Sequence, residues 1–328
     1  MDDKLHFRLY TGEQVEIEAQ LDDAEFPAGQ FLIARKVRLE DGTELRQHRP
    51  ASGSQRSDGY DRLDNEILAG RRLYEVSEES DWGSYPPELA RLHGDESASA
   101  DPYTLFDAYV GQPLRLVVRQ IIDDEFDAFQ VSLLNGLCWL AAAGIAHRAI
   151  SPDTVLWDSK RRRVLITDFS RSTVFGVPRT PVTGVPGWVP KEQRPSTVYG
   201  TVGPQDDVWA AGRLIFFVRN QGEDLIDRSQ IADSGLDGMF SGMFNAVLGP
   251  PDSRPSAWNL LGDGLKRRSP APRVADGSAW LTTGREHFLQ ARQRMHPGAA
   301  VPPGFNEDID WMSNPGGAKP PAPPMETR

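Results

Sequence analysis

Residues 147 to 168 hold the side chains best suited to chemistry. A loop reads His147-Arg148-Ala149-Ile150-Ser151-Pro152-Asp153-Thr154, and Asp168 follows in Thr167-Asp168-Phe169-Ser170. A carboxylate such as Asp168 can bind a metal ion, and Asp153 is placed for a second metal or base role. Polar groups at the two ends of small rigid elements can converge on a phosphate or a metal. A core helix plus a hairpin with a chance Asp-Phe-Ser tripeptide is the plainer explanation. The loop, the hairpin and Asp168 at this spacing are together far more specific than the tripeptide alone.

The elements that must position these groups are legible from periodicity. Phe126, Phe129, Leu133, Leu137 and Leu140 step by three or four residues, the signature of one helical face, and Gly144 stops that helix. Thr154 to Trp157 and Val164 to Thr167 are short apolar runs around a polar turn, Asp158 to Arg163, and predict a hairpin. The single cysteine, Cys138, lies on the helix and reads as a small buried apolar residue.

The loop and hairpin resemble the core of the eukaryotic-type Ser/Thr protein kinases, where H-R-D-L-x-x-x-N precedes D-F-G. The resemblance implies a two-lobed α+β fold with a small β-rich N-lobe and a large, mainly helical C-lobe. It also marks departures. Ala149 stands where the catalytic Asp would accept the substrate proton, and Thr154 where an Asn would help hold magnesium. His147, Arg148 and Asp168 keep their family types. On this reading residues 1–13 are an N-terminal segment, 14–108 the N-lobe, 109–262 the C-lobe and 263–328 a C-terminal extension.

In the N-terminal part, Gln14 to Leu21, Phe31 to Leu39 and Glu44 to Pro50 read as strands, with Asp41-Gly42 as a turn. Between the first two the family has a glycine-rich phosphate loop. Here Asp22 to Gln30 has one glycine, Gly29, and three carboxylates, which repel a triphosphate. The third strand lacks the family's lysine. Either Arg46 or His48 substitutes weakly for it, or both are polar residues on an exposed face. A helix at about Tyr60 to Glu75 places Glu66 where the family has its ion-pair Glu. Glu88 to Leu92 and Tyr103 to Phe106 read as the last two strands of this part. Phe106, Asp107 and Tyr109 fall at the hinge, facing an adenine if one binds.

Further along, Thr173, Thr180 and Thr183 lie in a stretch shaped like an activation segment, which ends at Pro190-Lys191-Glu192. The resemblance implies that Glu192 pairs with Arg254 and that Asp207, in Asp207-Val208-Trp209-Ala210-Ala211-Gly212, accepts hydrogen bonds from the loop of His147. In the tail, Thr283-Gly284-Arg285-Glu286 fits a capping box before a helix carrying Phe288, Ala291 and Met295. Phe305, Trp311 and Met312 are apolar spots expected to dock back on the large lobe or else on a partner. The end, rich in Pro and Gly, reads as disordered.

Composition bounds the partners. A net charge of −11 argues against nucleic acid, which needs clustered Lys and Arg. The basic runs Lys160-Arg161-Arg162-Arg163 and Lys266-Arg267-Arg268 are short. No leader precedes the polar start and no apolar run spans a bilayer, so a cytoplasmic protein with no membrane contact is expected. The function implied is a pseudokinase: an impaired signalling or scaffold module that acts through protein partners, with ATP and Mg²⁺ binding weak or absent. The alternative is a divergent active Ser/Thr kinase or other ATP-dependent transferase that uses Asp168 with a non-standard base.

Overall fold

The computed structural model describes residues 3–28, 31–51, 56–80, 84–182, 187–223 and 246–272. Its first half is a β-barrel. Strands β1 (Asp3–Leu9), β2 (Gln14–Leu21), β3 (Phe26–Ala28), β4 (Leu32–Leu39), β5 (Glu44–Pro50), β6 (Leu92–Glu96) and β7 (Tyr103–Asp107) share one antiparallel sheet. Their order is β2-β1-β6-β7-β5-β4-β3, and β2 also pairs with β4 through Ala19↔Leu39, Gln20↔Arg38 and Leu21↔Val37. That extra ladder closes six strands into a barrel and leaves β3 as a short hairpin arm on β4.

Alternation explains the barrel's filling. Inward positions in a strand recur every second residue, and Leu5, Phe7, Ala19, Val37, Leu39, Leu45, Tyr103 and Leu105 form the barrel core. The intervening residues of β5 and β7 face outward against α1 (Arg56–Glu79). Gly70 permits the approach of that helix, because a Cβ there would lie 2.4 Å from Leu92 Cβ.

The second half contains β8 (Gln112–Pro113), α2 (Leu114–Val117), α3 (Asp123–Ala142) and β9 (Ile145–Ala146). These are followed by the hairpin β10 (Val155–Asp158) and β11 (Arg163–Ile166), then β12 (Thr173–Val174), α4 (Asp206–Arg219) and α5 (Ala257–Asn259). β11-β10-β8 form one small sheet and β12-β9 another. The core packs α3 and α4 around Trp139, Phe169, Leu214 and Ile215, and it extends to Leu73 and Val76 of α1.

The two-lobed kinase-like fold expected from the motifs is therefore not the fold of this chain. The barrel is closed, and the described residues hold only five α-helices, two of which, α2 and α5, are four and three residues long. Alternation identified strands but says nothing about closure, which depends on strand number and stagger. Here β1 joins β2 to β6, and the β2–β4 ladder then closes the sheet. Glu88 to Leu92, expected as a strand, instead leads into β6, with Leu89 making an isolated bridge to Ile166. Among the described residues no helix is long and apolar enough to cross a membrane.

Candidate functional site

A polar relay lies on the outer wall of the barrel. The register Arg46↔Phe106 and His48↔Thr104 sets these four residues on the face that α1 covers. Glu66 of α1 is fully buried and His48 nearly so. His48 Nδ1 lies 2.9 and 3.0 Å from the two Glu66 oxygens, and Thr104 Oγ1 donates to Glu66 Oε2 at 2.9 Å. Arg46 Nε donates to His48 Nε2 at 2.9 Å. A guanidinium can only donate, so Nε2 is the acceptor and Nδ1 carries the proton that faces Glu66.

Arg46 is itself enclosed. Its guanidinium sits 4.4 Å from the Phe26 ring centre and 4.8 Å from that of Tyr109, a cation–π stack on two sides. Phe26 comes from β3, within the stretch that stands where the family has its phosphate loop and that is expected to repel a triphosphate. The carboxylates there face solvent or local partners: Asp22 Oδ1 accepts from Ala24 N at 3.0 Å and Glu25 bonds Arg49. Phe106 packs its ring 5.2 Å from His48, and Asp107 turns away to His93 at 3.3 Å and Arg91 at 3.6 Å. Gly29 lies outside the described residues.

The loop of His147 is held from below by α4. Asp207 Oδ2 accepts from His147 N at 2.6 Å and Oδ1 from Arg148 N at 2.7 Å. Burial pushes the Asp207 carboxyl up to about 7, while the two backbone donors pull it down. His147 Nε2 donates to the Thr167 carbonyl at 2.9 Å, and Nδ1 accepts from Ala149 N at 3.2 Å. Burial lowers the His147 pKa, which suits this neutral tautomer. Arg148 has φ +63, and its Nη1 donates to Thr180 Oγ1 at 3.0 Å.

The three groups closest to the expected chemistry are differently disposed. Ala149 is buried and offers only its methyl group. Thr154 Oγ1 donates to the Ala149 carbonyl at 2.7 Å and accepts from Ser151 N at 3.0 Å, so its hydroxyl is used inside the loop. Asp153 forms a two-pronged ion pair with Arg115 at 2.7 and 2.8 Å on the surface, and that hydrogen bond holds its pKa below the usual carboxylate value.

Asp168 is half-buried, with φ +65, and accepts one long bond from Ser170 N at 3.3 Å. Arg62 and Asn65 of α1 reach the adjacent Ser170 carbonyl, at 3.4 and 2.8 Å. The magnesium implied by the resemblance needs several oxygen ligands. Asp168 supplies one carboxylate, while the Thr154 hydroxyl is engaged elsewhere, so these residues do not fit the expected metal pair. Among the described residues no group of three or more His, Cys, Asp or Glu side chains could hold a metal ion.

Lower in the molecule, Arg254 Nη1 donates to Glu192 Oε1 at 2.6 Å with both side chains buried. Thr173 lies in β12, and Thr183 lies outside the described residues, as do the tail helix and the spots at Phe305, Trp311 and Met312. The sequence reading missed Thr104, Phe26, Arg62 and Asn65. Thr104 carried a usable signal, since it precedes Phe106 by two and so shares its face. Phe26 carried none, because its contact depends on how β3 folds over β4. No protein-family model and no curated protein matches the chain.

Proposed function

We infer that the chain is a catalytically impaired counterpart of a phosphotransfer protein, a signalling or scaffold module that works through protein contacts. Its likeness to protein kinases is one of local motifs. The observation that carries this reading is the enclosure of Arg46 between Phe26 and Tyr109. The cation nearest to a phosphate-binding role is stacked on two rings and bonded to His48, so binding a triphosphate there would first require breaking that stack. Ala149 and Thr154 support the same reading, since Ala149 carries no base and the Thr154 hydroxyl is bonded within the loop. Phosphoryl transfer depends on positioning and charge neutralisation, and of the groups that would supply both, Arg46 is bonded to His48 and the Thr154 hydroxyl to the Ala149 carbonyl.

Calorimetry with ATP, with and without magnesium, tests this. We expect no saturable heat at micromolar nucleotide. A magnesium-dependent dissociation constant in the low micromolar range would overturn the reading in favour of a divergent transferase using Asp168.

A further inference from the structure

The two short basic runs, about a hundred residues apart in sequence, meet in the fold. Arg161, Arg162 and Arg163 at the turn of the β10–β11 hairpin and Lys266 and Arg267 after α5 line one groove of about 830 Å³ beside α3. Part of this charge is neutralised locally, since Arg162 pairs with Asp124 and Arg161 with Asp158, each at 2.8 Å. Lys266 and Arg267 are exposed and have no ion-pair partner among the described residues. Asp124, Asp127 and the buried Glu88 line the groove too, so its five cations outnumber its three carboxylates by two. On a chain of net charge −11, a groove with this many cations favours an anionic occupant.

The sequence itself contains one. Beyond Pro272 the only adjacent acids are Glu307 and Asp308, in Glu307-Asp308-Ile309-Asp310-Trp311-Met312. The described chain ends at Pro272, a few residues past the wall formed by Lys266 and Arg267. About 34 residues separate Pro272 from Glu307, a length of chain ample to return to the nearby groove even with the expected helix inside it. We propose that the groove between Arg161–Arg163 and Lys266–Arg267 is the docking site of the chain's own acidic segment, Glu307 to Asp310. Its carboxylates meet Lys266, Arg267 and Arg163, and Trp311 stacks on an exposed guanidinium at the rim. The contact is ionic, so salt weakens it.

Amide hydrogen exchange on the full-length chain tests the assignment. Residues 307–312 should exchange at least tenfold more slowly in the native chain than in the K266E/R267E variant. The charge-swapped combination of K266E/R267E with E307K/D308K should recover protection. In the unmodified protein, carbodiimide should join Lys266 to a carboxylate of residues 307–310, a readout that needs no variant to fold. The proposal is overturned if residues 307–312 exchange at the same rate in both proteins, or if no such cross-link forms. It is also overturned if protection and cross-link appear only as protein concentration rises, which would assign the groove to the tail of a second copy. Binding of a polyphosphate probe that leaves tail exchange unchanged would assign it to a free polyanion instead.

Discussion

Among the described residues two histidines are buried, in different ways. His48, on the barrel wall, has side-chain partners: Glu66 from α1 and Arg46 from its own strand. His147, at the head of the loop, has backbone partners, the Thr167 carbonyl and the Ala149 N–H. The nearby carboxylate, Asp207, binds backbone too and leaves the imidazole alone. The barrel relay is thus a set of side chains that satisfy one another, whereas the loop network fixes the course of the chain, including Arg148 at φ +63 and Asp168 at φ +65. Replacing a member of the first should perturb a local cluster. Replacing a member of the second should perturb the loop itself.

Asp207→Ala should have the largest effect. It leaves two buried backbone donors unpaired, each costing about 1–3 kcal/mol, so a loss of about 4 kcal/mol is expected in urea denaturation. A loss below about 1.5 kcal/mol would mean that the loop holds its shape without α4 and would erase the contrast. Glu66→Ala should cost about 3 kcal/mol, because the buried Thr104 hydroxyl and the His48 N–H both lose their acceptor. Glu66→Gln should cost about half as much, since the amide oxygen still accepts one bond. Equal losses for Ala and Gln would show that the ionic character of Glu66, and not its acceptor count, holds the wall. The smallest effect expected is none at all. A general base is typically worth about two to four orders of magnitude in rate, yet Ala149→Asp should yield no transfer from radiolabelled ATP to a generic substrate. The Thr154 hydroxyl and the Arg46 guanidinium stay engaged after the base returns. Robust transfer that vanishes on adding Asp168→Ala would refute the impaired-site reading.

Local patterns carried much of what the sequence could say. The alternation in Gln14 to Leu21 and Glu44 to Pro50, the helical face from Phe126 to Leu140 and the polar turn at Asp158 to Arg163 all name elements that exist in the structure. Each depends on the period of a single segment, which side-chain burial imposes directly. The residue types of the loop were legible as well: Ala149 has no ionisable group and Thr154 no amide oxygen wherever the chain places them. Only the tertiary structure decided the rest. It closed the barrel through Ala19–Leu21 and Val37–Leu39, enclosed Arg46 between Phe26 and Tyr109, set His48 against Glu66 and joined the two basic runs in one groove. The motif order that suggested a two-lobed fold records residue types along a line, whereas sheet closure is decided by hydrogen-bond pairing between strands that no single segment encodes.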